Sequence, residues 1–122
     1  MIPVVRVKEG VKITKLSPAG ACIIGALDLT AKALGYDIWI TSAEDGVHSG
    51  PDDPHHSAEA FDVRTHGVPN KIALLLEIKA HLDGRYFYTF LEDPDPDAIP
   101  ENFQSNEHIH CQRKRATVYP PV

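Results

Sequence analysis

The sequence predicts a single α+β domain over residues 1–122, an antiparallel sheet flanked by two main helices. Three observations carry this expectation. The length of 122 residues suits one domain, since domains commonly run to ~100–200 residues. Two segments repeat apolar residues at helical spacing and carry capping residues at their ends. The other apolar segments are short and rich in β-branched or aromatic residues. Two pairs of them follow one another through a loop with no helix between, which favours antiparallel pairing.

The elements follow in order. Val5, Val7, Val11 and Ile13 alternate with polar residues in 1–16, as in a short strand or extended arm. Ser17-Pro18 reads as an N-cap followed by proline at the first helical position. Ile23, Ile24, Leu27, Ala31 and Leu34 then recur at helical spacing, and Gly35 stands where a C-cap belongs, so a helix is expected over about 18–34. Asp37 to Thr41 reads as a strand. Residues 42–58, with Gly46, Gly50, Pro51 and Pro54, form a loop long enough to suggest a functional role. Ala60 to Arg64 is the next strand. Gly67 to Asn70 is a turn and cap, and a second helix over 71–83 carries Ile72, Leu75, Leu76 and Leu82, closed by Gly84. Tyr86 to Leu91 is a strand, 93–106 a second long acidic and proline-rich loop, and His108 to Gln112 the last strand.

Composition excludes several classes. Twelve basic residues face 17 acidic ones, a net charge of −5, so there is no global electrostatic case for nucleic acid. At 43% hydrophobic and 24% charged, the chain has the means to build a core. No apolar run approaches the ~18 residues of a membrane span, and the opening residues lack the marks of a signal peptide. A soluble monomer made in the cytoplasm is expected, without nucleic-acid or membrane partners. Cys22 and Cys111 form no C-x-x-C pattern, so two reduced thiols are expected.

Histidine is the unusual entry. Of seven, five fall in two groups: His48, His55 and His56, then His108 and His110. Both groups lie where a long loop meets a strand. Two imidazoles and a carboxylate are a standard ligand set for a catalytic zinc, with a water in the fourth position. In an extended strand His108 and His110 point to one face, and Asp62 points opposite to Phe61. Zinc chemistry of this kind also needs a carboxylate that takes the water proton and returns it to the leaving amine. Glu107, three residues before His110, is the first candidate, and Glu92, at the end of the preceding strand, is the second.

The stretches Ile38 to His48, His55-His-Ser-Ala-Glu-Ala-Phe-Asp62-Val-Arg64 and Glu107-His-Ile-His110-Cys111 resemble the zinc peptidase superfamily of D-alanyl-D-alanine carboxypeptidases and dipeptidases. That group includes phage L-alanyl-D-glutamate endopeptidases and shares its fold with the hedgehog signalling domain. The resemblance spans about 38–112 and follows the family motifs S-x-H-x-x-G-x-A-x-D and E-x-x-H or H-x-H. It implies a hedgehog/DD-peptidase-like fold, with His55, Asp62 and His110 as zinc ligands and Glu107 as the base. A hedgehog-like arrangement would place the base at Glu92 instead. His108 is implied to stabilise the oxyanion or orient the water. Asp53 and Ala58 stand where the motif has serine and glycine. An arginine common after the first strand in relatives is missing, so His48 or Arg64 is expected to meet a substrate carboxylate.

The implied activity is a zinc-dependent peptidase acting on peptidoglycan stem peptides or their precursors, reaching the cell wall on release from the cell. The alternatives are a non-catalytic, zinc-containing, hedgehog-like binding module and a phage tail structural component. Other features have plainer readings. His66 and His81 read as ordinary surface or core histidines and His56 as a solvated neighbour. Asp93, Asp95 and Asp97 are interrupted by prolines and lack the glycine of a calcium loop. Arg113, Lys114 and Arg115 read as a solvated strand end, and Tyr86, Phe87, Tyr88 and Phe90 as core and sheet residues.

Overall fold

The structure, a computed structural model, describes residues 2–43, 59–92 and 106–115. Its elements are β1 (Val5–Val7), α1 (Pro18–Leu34), β2 (Ile38–Ser42), β3 (Ala60–Arg64), α2 (Lys71–His81), β4 (Phe87–Glu92) and β5 (His108–Arg113). They form an α+β domain whose five-stranded sheet has the order β1-β2-β3-β5-β4.

Helix α1 begins as its sequence dictates. Ser17 is extended, and its Oγ accepts from the Gly20 amide at 2.9 Å, which satisfies one of the first-turn donors that have no partner within the helix. Pro18 takes the first helical position, where no amide hydrogen is needed. Gly35 ends the helix at φ 81°, a left-handed conformation a side chain would strain. Helix α2 is capped by Asn70, whose side chain accepts from the Ala73 amide at 3.0 Å. It stops at His81 rather than 83, because Leu82 turns extended and is buried in the core. Its inward residues are Leu74 and Ile78, one turn apart, while Ile72 and Leu76 are exposed.

The sheet is mixed at one edge. β2 pairs antiparallel with β3, β3 with β5, and β5 with β4, but β1 runs parallel to β2. Helix α1 is the reason: parallel strands need a long crossover, and α1 supplies it between β1 and β2. Asp37 fastens this edge, accepting from the Val4 amide at 2.9 Å and from Arg6 Nε at 2.5 Å.

Strand alternation divides the sheet into two faces. Ile38, Ile40, Phe61, Val63, Phe87, Ile109 and Cys111 enter one buried cluster with Ile23, Leu27, Leu74 and Ile78 from the helices. The alternate residues form the opposite, open face. Across β3, β5 and β4 the register stacks them in rows: Arg64, His108 and Glu92; then Asp62, His110 and Phe90; then Ala60, Gln112 and Tyr88. Cys22 and Cys111 are both free thiols, and burial pushes the Cys111 thiol pKa up. Among the described residues no helix is long and apolar enough to cross a membrane.

Candidate metal centre

Two of those rows bring the titratable side chains together. Asp62 sits in the middle of β3, where Thr41 Oγ1 donates to its carbonyl at 3.5 Å. Its carboxylate faces His110, the direct cross-strand neighbour, with Asp62 Oδ1 2.8 Å from His110 Nδ1. His108 Nε2 lies 3.6 Å from the same oxygen and 3.7 Å from Glu92 Oε1, and Glu92 Oε2 lies 3.8 Å from His110 Nδ1. Asp62, His108 and His110 offer ligand atoms that all lie within 4.8 Å of one another, a group that could hold a metal ion.

The state of His108 tests whether the residues fit a cation. Its Nδ1 is 2.7 Å from the main-chain carbonyl of Asn106. A carbonyl only accepts, so the ring proton sits on Nδ1 and a neutral ring has its lone pair on Nε2. That Nε2 is buried without a hydrogen-bond partner among the described residues and lies 3.6 and 3.7 Å from two carboxylates. A buried lone pair facing anions is unfavourable, and a cation between them reverses the sign of both interactions. A histidine donating its outer nitrogen to a carbonyl while its inner nitrogen points at carboxylates is the usual posture of a metal ligand.

His110 is more enclosed. Nδ1 meets Asp62, Nε2 is 2.6 Å from Gln112 Oε1, and the Phe90 ring lies beside it with centroids 5.2 Å apart. Burial disfavours its protonated form, but the hydrogen bonds to Asp62 and Gln112 and the charges of Asp62 and Glu92 outweigh it, so the pKa stands above the ordinary imidazole value.

The structure does not bring Glu107 to this cluster. The alternation that puts His108 and His110 on the open face turns Glu107 toward the helices. There it is 8% exposed. Its Oε1 accepts from Thr65 Oγ1 at 2.8 Å and its Oε2 from Lys71 Nζ at 2.6 Å. Glu92, the other candidate, lies at the cluster. His48, His55 and His56, together with Asp53 and Ala58, are outside the described residues.

Arg64 lies on the open face, beside His108 in the register, with its guanidinium 5.0 Å from the Trp39 ring centroid. It has no carboxylate partner among the described residues. With Tyr36, Trp39, His66 and Pro69 it lines a cavity of about 400 Å³ at the end of the sheet. The basic run has partners of its own: Arg113 pairs with Glu59, and Lys114 lies over the Tyr88 ring at 4.9 Å.

Two features escaped the sequence reading. His108 joins Asp62 and His110 in the group that could hold a metal ion, and Gln112 contacts His110. The signal was the period-two pattern His108, His110, Gln112, which puts all three on one face. In comparisons with known proteins, no family model matches the chain, and neither a curated protein nor a solved structure matches it.

Proposed function

We propose that the chain is a zinc-dependent peptidase acting on peptidoglycan stem peptides or their precursors, of the D-alanyl-D-alanine carboxypeptidase or L-alanyl-D-glutamate endopeptidase type. The observation that carries the metal reading is the buried Nε2 of His108, which has no hydrogen-bond partner among the described residues and lies with His110 beside two carboxylates. The motif resemblance supplies the reaction class and the substrate.

Asp62, His108 and His110 would hold the ion. Nitrogen and carboxylate donors suit zinc, which when bound supplies Lewis acidity and lowers the pKa of a coordinated water toward ~7. Glu92, half-exposed beside the histidines, takes a proton from the attacking water and returns it to the leaving amine. Arg64, cationic and without a carboxylate partner among the described residues, receives an anionic group of the peptide, and the adjoining cavity accommodates the apolar part. His48 stays a second candidate for that contact. His55, the ligand implied by the resemblance, competes with His108 for the same role.

Zinc stoichiometry separates the two ligand sets. His108→Ala abolishes stoichiometric zinc if the Asp62, His108 and His110 set is right, while His55→Ala does so if the motif set is right. Mass spectrometry of muropeptides after incubation with the zinc-loaded protein then names the bond. Uncleaved muropeptides with a fully loaded protein would defeat the peptidase reading.

A second reading has an observation of its own. Glu92 Oε1 lies 3.7 Å from His108 Nε2 and its Oε2 3.8 Å from His110 Nδ1, so a side-chain shift that brings one oxygen into the Asp62, His108 and His110 group would make it a fourth ligand. Four protein ligands close a zinc site and make it structural, as in a non-catalytic, hedgehog-like binding module. Glu92→Gln decides: a lost base leaves zinc affinity intact, and a lost ligand weakens it.

A further inference from the structure

We propose that Gln112 is a positioning residue for the metal centre: its amide oxygen accepts a hydrogen bond from the Nε2–H of His110 and so commits Nδ1 to the cation. The inference rests on the metal reading of the cluster.

The neutral imidazole carries one proton on two nitrogens, and each nitrogen of His110 faces an oxygen. Nδ1 lies 2.8 Å from Asp62 Oδ1 and Nε2 lies 2.6 Å from Gln112 Oε1. An ionised carboxylate and an amide oxygen both accept only. In the neutral ring one proton therefore leaves one lone pair against an acceptor, a conflict that only a positive charge at Nδ1, a second proton or a metal ion, relieves. A cation between Nδ1 and Asp62 removes the conflict, because the proton then belongs on Nε2 and Gln112 accepts it.

The amide is oriented for this task. Gln112 Nε2 donates to the Arg113 carbonyl at 3.4 Å, which turns Oε1 toward His110. The strand supplies the placement, since Gln112 follows His110 by two residues and shares its face. Phe90 flanks the ring on the neighbouring strand. His108 solves the same problem in mirror fashion, with the Asn106 carbonyl holding Nδ1–H and Nε2 turned inward. The two histidines thus present opposite nitrogens, each fixed by an oxygen outside the cluster. The Asn106 acceptor is main chain, so Gln112 is the one of the pair that substitution can remove. Outer acceptors of this type are worth about 10–100-fold in metal affinity.

The test uses zinc titrated against a competing chelator, together with nitrogen-15 spectra of the histidine rings in zinc-loaded protein. Wild type is expected to show His110 ligated through Nδ1 with a protected Nε2–H. Gln112→Leu removes the acceptor: zinc affinity falls about 10–100-fold and the Nε2–H signal loses its protection, while the His108 signals stay in place as proof of folding. Gln112→Glu keeps an acceptor oxygen and holds affinity within a few-fold of wild type. Ligation of His110 through Nε2, or unchanged affinity and protection in a folded Gln112→Leu, overturns the role of Gln112 and leaves the metal site standing. Failure of wild type to take up zinc overturns the metal reading and this inference with it.

Discussion

Two glutamates separated by fifteen positions show how much one residue of phase decides. Glu107 adjoins His108 in sequence but faces the helices, where Thr65 and Lys71 occupy both of its oxygens. Glu92 is remote in sequence, yet the pairing of β4 with β5 sets it opposite His108. The two should therefore fail differently. Glu107→Ala removes the nearly buried carboxylate that Thr65 and Lys71 both meet. A fully buried pair would cost more, but Lys71 is 29% exposed, so about 2 kcal/mol of stability is expected. Urea unfolding should show that loss with zinc content unchanged. Glu92→Gln should leave unfolding within about 0.5 kcal/mol of wild type and, on the proposed peptidase reading, lower the rate of peptide cleavage by about 10²–10⁴. The reverse pattern would return the base to Glu107.

At the scale of the elements, β1 leans on one side chain. It is three residues long and pairs only with β2 among the described residues, and Asp37 binds both the Val4 amide and Arg6. The Arg6 side-chain hydrogen bond, then the Val4 amide, hold the Asp37 pKa below its ordinary value of 3.8. The sign follows. A carboxylate with a depressed folded pKa contributes stability that is fully present above the unfolded pKa and lost as pH falls through the folded one. Hydrogen exchange of the β1 amides should therefore stay slow on moving down to about pH 4 and quicken below it, while Asp37→Asn should show fast exchange at neutral pH. Exchange independent of both would remove Asp37 from the role. The helices were readable in advance because Ser17, Pro18, Gly35 and Asn70 are local signals that act within one turn. The strands β3 and β5 were readable from alternation. The parallel edge was not, because pairing direction depends on where α1 returns the chain. The end of α2 was not, because Leu82 is claimed by the core. Alternation also contained the placement of Glu107, but a family-like spacing to His110 pointed the other way.

At the scale of the whole molecule, the open face is, on the metal reading, costly without a cation and has a gain with one. Asp62 and Glu92 set two carboxylates around a buried imidazole lone pair. The strands that carry these groups, β3, β4 and β5, also carry Phe61, Val63, Phe87 and Ile109 of the core on their other face. Binding at the cluster therefore ties three strands whose packing defines the folded state, and a ligand that binds only the folded chain stabilises all of it. At a free zinc concentration 100-fold above the dissociation constant the gain is about 2.7 kcal/mol. For a domain of this size each kcal/mol moves the melting temperature by roughly 4 °C, so zinc should raise it by roughly 10 °C, and chelation should reverse the rise. Asp62→Ala should remove the response, read against its own zinc-free melting temperature, because the same substitution also removes the hydrogen bond to the buried His110. Scanning calorimetry with and without zinc reads both quantities. An equal zinc response in the Asp62→Ala protein would place the ion somewhere other than the rows of β3, β5 and β4.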